Sequence, residues 1–195
     1  MSSVGFLVLA AGASSRFAGD KLSAVLPTGK SVLETTVAQL PAGYPRHLVC
    51  RSGHGSLSPL LEQYGISYSE NPDAVSGMAS SIRHGVQQTP DWEGWVICLA
   101  DMPWIHTTTY RTIAAALKTD NIVVPVTDCQ GTRRRGNPAA FGRNWYEALG
   151  ELRGDRGARA IVAANPGRVR EVNVKDPGIL LDIDYPDDIN NLPDQ

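Results

Sequence analysis

Hydrophobic positions along the chain fall into two periodicities. Val4–Ala10 is a nearly unbroken apolar run bounded by Gly12, which predicts a strand covered on both faces. Residues 95–100 and 122–126 form two more such runs, and Pro103 stops the first of these from continuing past Asp101. Shorter strands are predicted over 47–50, 66–69, 139–141, 169–174 and 179–184. Between them the spacing is helical. Leu33, Val37 and Leu40 share one stripe over 31–40, with Ser31 as N-cap. Residues 57–64 read as a second helix, and Ile82 and Val86 mark the buried face of a third after Ser76. Tyr110, Ile113, Ala114 and Leu117 repeat the pattern, and further helices are predicted over 144–149 and from Asp155. Strand alternating with helix through the first 126 residues predicts an α/β fold with a mostly parallel sheet. No repeat or linker interrupts it, so 1–195 is read as a single domain.

Charge and cysteine content narrow the function. Lys plus Arg number 18 and Asp plus Glu 20, a formal net charge of −2, so no nucleic-acid-binding field is expected. Cys50, Cys98 and Cys129 are widely spaced and form no CxxC pair, which suits a reducing compartment rather than a disulfide framework or zinc. The longest apolar run falls far short of the ~20 residues that a membrane span needs. Met1-Ser2-Ser3 leads into the first strand with no basic segment, so a cytoplasmic, soluble protein with no membrane partner is expected.

Candidate chemistry begins in the loop after the first strand. Leu9-Ala10-Ala11-Gly12-Ala13-Ser14-Ser15-Arg16 is followed by Gly19-Asp20-Lys21. Open parallel sheets bind ligands at the carboxyl ends of their strands, where small residues let backbone N–H groups face a phosphate. Arg16 offers a fork for phosphate oxygens and Lys21 a compact charge. A surface loop with two solvated cations is the other reading. The dinucleotide fingerprint GxGxxG is absent. Ala24-Val25-Leu26-Pro27-Thr28-Gly29-Lys30-Ser31 only approaches a GxxxxGK[ST] phosphate loop and reads as a turn before a helix.

Carboxylates at strand ends supply the second half of a site. Asp101 stands where a buried strand leaves the sheet, beside the first loop if the two strands are neighbours. A carboxylate near a triphosphate is repulsive unless a divalent cation lies between, and Mg²⁺ takes one or two carboxylates plus phosphate oxygens. Asp182 and Asp184, on one face of a strand with Ile183 on the other, are the candidates to complete it. Asp187 and Asp188 follow Pro186 and suit the first turn of a helix. Gly77-Met78-Ala79-Ser80-Ser81-Ile82 opens a helix with small residues that either hold a ribose or base through Ser81 or are merely capped by Ser76. Thr132-Arg133-Arg134-Arg135-Gly136-Asn137-Pro138 reads as a loop, either solvated or receiving an acceptor's phosphate. Gly154-Asp155-Arg156-Gly157-Ala158-Arg159 is a further Gly-bounded turn with two cations. The four histidines show no paired spacing, and no GxSxG elbow is present.

Taken in order, these segments resemble the MobA-like nucleotidyltransferase family, most closely its molybdenum cofactor cytidylyltransferase branch. The matching pieces are residues 9–16 with Lys21, residues 77–82, Leu99-Ala100-Asp101-Met102-Pro103, and residues 136–141, 154–159 and 182–188. The resemblance implies a three-layer α/β/α, Rossmann-like domain of nucleotide-diphospho-sugar transferase type, its mostly parallel sheet carrying one antiparallel strand. It implies Mg²⁺-dependent transfer of a nucleoside monophosphate from CTP or GTP to the phosphate of molybdopterin, with release of pyrophosphate. Transient contact with a molybdoenzyme or its chaperone follows from that role.

Leu9-Ala10-Ala11-Gly12 resembles the cytidine branch, where the guanine branch usually reads Leu-Ala-Gly-Gly. Asn137 replaces the usual histidine of Gly-His-Pro, and Tyr185 replaces threonine in Asp-Ile-Asp-Thr-Pro. The expected catalytic residues are Arg16, Lys21 and Asp101. Nucleotide contacts are expected from Ala10, Ala11, Gly12, Arg16, Lys21, Gly77, Ser81 and Asp101, acceptor contacts from Arg135, Gly136, Asn137 and Pro138. Metal contacts are expected from Asp101 with Asp182 or Asp184. The alternatives are a guanylyltransferase, an enzyme for another phosphorylated acceptor such as a sugar phosphate, and a non-catalytic nucleotide-binding protein.

Overall fold

The computed structural model describes residues 3–12, 17, 19–53, 57–154 and 157–190. Four parallel strands, β1 (Val4–Ala10), β2 (Arg46–Arg51), β3 (Ser67–Asn71) and β4 (Gly94–Leu99), lie in the order β3-β2-β1-β4. The sheet continues through β7 (Ala139–Gly142), antiparallel to both β4 and β5 (Ile122–Cys129). β5 also pairs with β6 (Thr132–Arg135) as a hairpin and with β8 (Val169–Asn173) in parallel. Side chains of β1 alternate between two cores. Phe6, Val8 and Ala10 pack with Leu33 and Val37 of α1 (Val32–Ala38), Leu61 of α2 (Ser58–Gln63) and Tyr110 and Ile113 of α4 (Thr107–Ala116). Leu7 and Leu9 pack with Ile82 and Val86 of α3 (Met78–Gln88), Leu149 of α5 (Tyr146–Gly150) and Ile161 of α6 (Arg159–Ala164). Continuous apolar runs thus become central strands because both faces are covered, giving three layers.

Several sequence expectations change in the structure. The basic run at 132–136 is not a loop. Gln130 and Gly131 adopt positive φ and turn the chain back, so Thr132–Arg135 pairs along β5 with all four residues exposed. The sheet therefore carries two antiparallel strands rather than one. Residues 179–184 do not form a strand. A 3₁₀ turn at Pro177–Leu180 leads into an extended arm outside any strand, in which Ile183 is buried, Asp182 exposed and Asp184 half-buried. Ser31 caps α1 as expected, accepting from Glu34 N at 3.0 Å. Ser76 does not cap α3: its hydroxyl donates to Asp73, and Gly77 at φ +93° makes the turn that starts the helix. The near-miss phosphate loop is a turn closed by Leu26 N to Lys30 O at 2.8 Å. No described helix is long and apolar enough to cross a membrane.

One buried histidine gives the fold a pH dependence. His47 is wedged between β2 and β3 with both ring nitrogens within 2.8 Å of hydroxyls, of Ser67 and Ser69. Burial, with a smaller contribution from nearby His84, depresses its pKa to about 4. The unfolded chain takes up this proton near the ordinary value of 6.5, while the folded chain resists until about 4. Stability is therefore expected to fall as pH drops from 6.5 toward 4 and to be flat in this residue above 6.5. Denaturant unfolding at pH 7, 5.5 and 4.5 measures the slope, and His47→Asn should flatten it.

Candidate active site

β1 and β4 are adjacent and parallel, so their carboxyl ends deliver Ala10-Ala11-Gly12 and Asp101 to the same edge of the sheet. Ala100 N donates to Leu9 O at 3.1 Å and holds the two exits together. Thr36 Oγ1 reaches Ala100 O at 2.9 Å and ties α1 to the same turn. Into this edge opens a cavity of about 560 Å³, a size that suits a nucleotide-scale ligand. Leu9 to Gly12 form one wall, Ala74 to Ser81 a second, and Asp101, Asp182 and Asp184 the acidic end.

Lys21 lies at that end with its side chain 11% exposed. Its Nζ donates to Asp101 Oδ2 at 2.5 Å and to Ile183 O at 3.0 Å, and stands 3.5 Å from Asp184 Oδ1. Burial disfavours the ammonium, but the Asp101 and Asp184 carboxylates outweigh it, so the Lys21 pKa is raised above 10.5. Ile183 N in turn donates to Asp101 O at 2.9 Å, which docks the 181–184 arm against the exit of β4. Burial and the neighbouring charges of Asp101 and Asp184 raise the pKa of Asp182. Among the described residues, three carboxylates therefore stand about the Lys21 ammonium.

On the opposite wall, Ser81 Oγ accepts from Asn71 Nδ2 at 3.3 Å, which leaves its own proton to donate into the cavity. Val75, 93% exposed, and Met78 form an apolar lip. Arg159, at the start of α6, adds a cation. Its loop packs closely on α3, where a Cβ on Gly157 would meet Met78 Sδ at 2.7 Å.

The structure thus brings Ala10, Ala11, Gly12, Lys21, Gly77, Ser81, Asp101, Asp182 and Asp184 around one cavity. Arg16 lies outside the described residues. The ammonium of Lys21 is held by Asp101 and Asp184. Asp101, Asp182 and Asp184 line the same end of the cavity, although among the described residues no three His, Cys, Asp or Glu side chains are grouped as a metal site.

Arg135, Gly136, Asn137 and Pro138 do not line the cavity. Arg135 Nε is engaged by Glu171 Oε1 at 2.7 Å, while Gly136 N and Asn137 N donate to Pro125 O and Ile179 O. Ala139 pairs with Ile97 in an antiparallel register, so the segment before it, with its cis Asn137–Pro138 bond, runs alongside the end of β4, just short of Asp101. Ala74, Val75, Met78 and Arg159 were not expected as wall residues. The Gly-bounded cationic turn ending at Arg159 and the Gly77–Ile82 segment that contains Met78 left a trace in the sequence; Ala74 and Val75 did not.

The model of the MobA-like NTP transferase domain matches residues 6–170. The chain belongs to that family. As a MobA-like NTP transferase it is an enzyme that moves a nucleoside monophosphate from a nucleoside triphosphate to an acceptor. Rv0371c from Mycobacterium tuberculosis H37Rv is 28% identical, with a TM-score of 0.76 over 96% of each chain. A second structure of that mycobacterial protein, in complex with manganese, aligns at 27% identity and TM-score 0.73, again over 96% of each chain. A nucleotidyl transferase from Methanothermobacter has a TM-score of 0.79 at 20% identity, covering 95% of this chain and 94% of that one. At that identity the likeness concerns the fold. No curated protein sequence matches the chain.

Proposed function

We propose that this transferase is a single catalytic domain that moves CMP from CTP to the phosphate of a molybdopterin-type acceptor, releasing pyrophosphate. The observation that carries the reading is the meeting of Lys21 and Asp101 at the exits of adjacent strands, within a nucleotide-sized cavity. The preference for CTP rests on the resemblance of Leu9-Ala10-Ala11-Gly12 to the cytidine branch.

In this reading backbone groups of Ala11 and Gly12 and the hydroxyl of Ser81 hold the nucleoside. Arg159 and Arg16 bind phosphate oxygens, a task that guanidinium forks perform well. Lys21 balances the acidic corner and keeps Asp101 and the 181–184 arm in register. The segment 136–138, beside the end of β4, faces the acceptor, while Arg135 stays bound to Glu171.

The acidic corner fits a divalent cation. Asp101 Oδ1 is buried without a hydrogen-bond partner, and Asp182 and Asp184 line the same end of the cavity. The mycobacterial relative solved with manganese supports the same reading. Asp101, with Asp182 or Asp184, would hold Mg²⁺, whose chemistry is charge neutralisation at phosphate oxygens. The acceptor's phosphate oxygen bonds to the α-phosphorus of CTP as the bond from that phosphorus to the bridging oxygen breaks. Pyrophosphate leaves with the bonding electrons. An anionic phosphate needs no general base, and no histidine or cysteine is among the residues lining the cavity.

Thermal shifts with CTP, GTP, ATP and UTP, with and without Mg²⁺ or Mn²⁺, test the nucleotide. A ligand at 100 times its Kd contributes about 2.7 kcal/mol, so CTP with metal should raise the Tm by about 5–10 °C and exceed the others. A larger shift with GTP would move the protein to the guanylyl branch. Pyrophosphate release with molybdopterin and with sugar phosphates tests the acceptor. Nucleotide binding without release on any acceptor would make the chain a binder.

A further inference from the structure

Asp176 has no place in the chemistry described so far, yet it is one of the most completely enclosed charged side chains, 1% exposed. Its Oδ2 accepts from His106 N at 2.9 Å and from Thr109 Oγ1 at 2.5 Å, and its Oδ1 accepts from Gly178 N at 3.0 Å. His106 is the N-cap residue of α4, and its own side chain makes no capping bond. A carboxylate nearly 70 residues away in sequence thus caps the helix that follows Asp101, where the helix dipole favours negative charge. The same carboxylate folds the chain into the 3₁₀ turn at Pro177–Leu180 that begins the acidic arm.

The contacts after it run in one direction. A Cβ on Gly178 would stand 2.3 Å from Trp104 O, so the turn lies directly against the connection from β4 to α4. Ile179 O accepts from Asn137 N, Ile183 N donates to Asp101 O, and Ile183 O accepts from Lys21 Nζ. Residues 176–184 are therefore fastened at both ends of the Asp101–His106 connection. Asp176 is the lower fastening and Ile183 the upper one. The arm forms no strand pairing, so side-chain and single backbone bonds such as these, with the Lys21–Asp184 pair and the bond from Asp184 N to Asp188 Oδ2, set where Asp182 and Asp184 stand relative to Asp101.

We propose that Asp176 is a positioning residue that keeps the Asp182–Asp184 arm docked beside Asp101, where the proposed cation would bind. This rests on the proposed reading of the acidic corner as the metal-binding end. Three measurements on the full chain test it. Asp176→Ala should speed amide hydrogen exchange at 181–184 about tenfold. It should weaken Mn²⁺ binding, read by electron paramagnetic resonance of the free ion, by about tenfold, as loss of an outer-shell support does. It should lower kcat while leaving KM for the nucleotide within about twofold. Asp176→Asn, which keeps one accepting oxygen, should restore part of each. Thr89→Val, which breaks the bond from Trp95 Nε1 at the amino end of β4, should lower the Tm without moving any of the three.

If both Asp176 variants lower the Tm alone, with exchange at 181–184 and Mn²⁺ affinity within twofold of the parent, the residue only stabilises the fold and the proposal is overturned. A parent protein that releases no pyrophosphate would remove the transferase chemistry proposed here. The exchange measurement would still decide the role of Asp176.

Discussion

An Asp101→Ala variant is expected to fold, to keep a Tm within about 4 °C of the parent, and to turn over about 10²–10⁴-fold more slowly. Fold retention follows from what surrounds the residue. The backbone of Asp101 still receives Ile183 N, and Lys21 keeps Ile183 O and the Asp184 carboxylate. The loss in rate follows from the orphaned oxygen. Asp101 Oδ1 is enclosed and makes no bond in the ligand-free protein, although an enclosed carboxylate oxygen ordinarily has a partner. A bound cation supplies that partner in the proposed complex. Asp101→Asn should lose nearly as much, because a neutral amide keeps the shape but neither balances Lys21 nor attracts a divalent ion. Pyrophosphate release under saturating nucleotide, with circular dichroism as the folding control, reads the result. Near-parental release in Asp101→Ala would reject the assignment of the acidic corner.

Lys21→Met should be damaging in a different way. It removes an ammonium from a corner where the charges of Asp101 and Asp184 already bear on Asp182. Breaking a fully buried pair from one side costs about 3–5 kcal/mol; here both partners keep some solvent contact, so about 2 kcal/mol is expected. For a chain of this size that is a Tm about 4–8 °C lower. Millimolar Mg²⁺ or Mn²⁺ should recover part of the lost stability in Lys21→Met and add less to the parent, since the cation then stands in for the ammonium. Turnover should stay depressed with metal present, because the bond from Nζ to Ile183 O that docks the arm is gone. A Lys21→Met variant with parental Tm and no response to divalent ions would show that the corner is not short of positive charge.

The wall opposite Lys21 explains why the protein has cations at two depths. Lys21 is buried and spent on carboxylates, whereas Arg159 is exposed at the rim. In the proposed complex a triphosphate reaching across the cavity would meet the two in different roles, one setting the charge of the floor and the other gripping the ligand. The apolar lip of Val75 and Met78 on the same side suits a flat ring beside that anionic chain.

Most of the sheet was legible in the amino-acid sequence. Continuous apolar runs at 4–10, 95–100 and 122–126 have one stable placement, between two layers of helices, and the structure puts them there. Ser31, Gly12 and Pro103 announce a cap, a turn and a strand end by local chemistry alone. The arm at 179–184 misled because alternation of buried and exposed residues is shared by a strand and by an extended chain lying on a core; backbone pairing distinguishes them, and pairing is not local. The Arg133-Arg134-Arg135 run misled for the opposite reason, since an exposed edge hairpin has no apolar face to reveal it.

By itself the sequence determined which residues could carry charge to a strand exit and which strands would be central, because both follow from local periodicity and residue type. Only the tertiary structure decided that Lys21 belongs to Asp101, that Asp176 caps a helix nearly 70 residues away, and that Arg159 rather than Arg135 reaches the cavity wall. Each of these pairs residues far apart in the chain. Their meeting depends on the order of strands in the sheet, which no local pattern encodes.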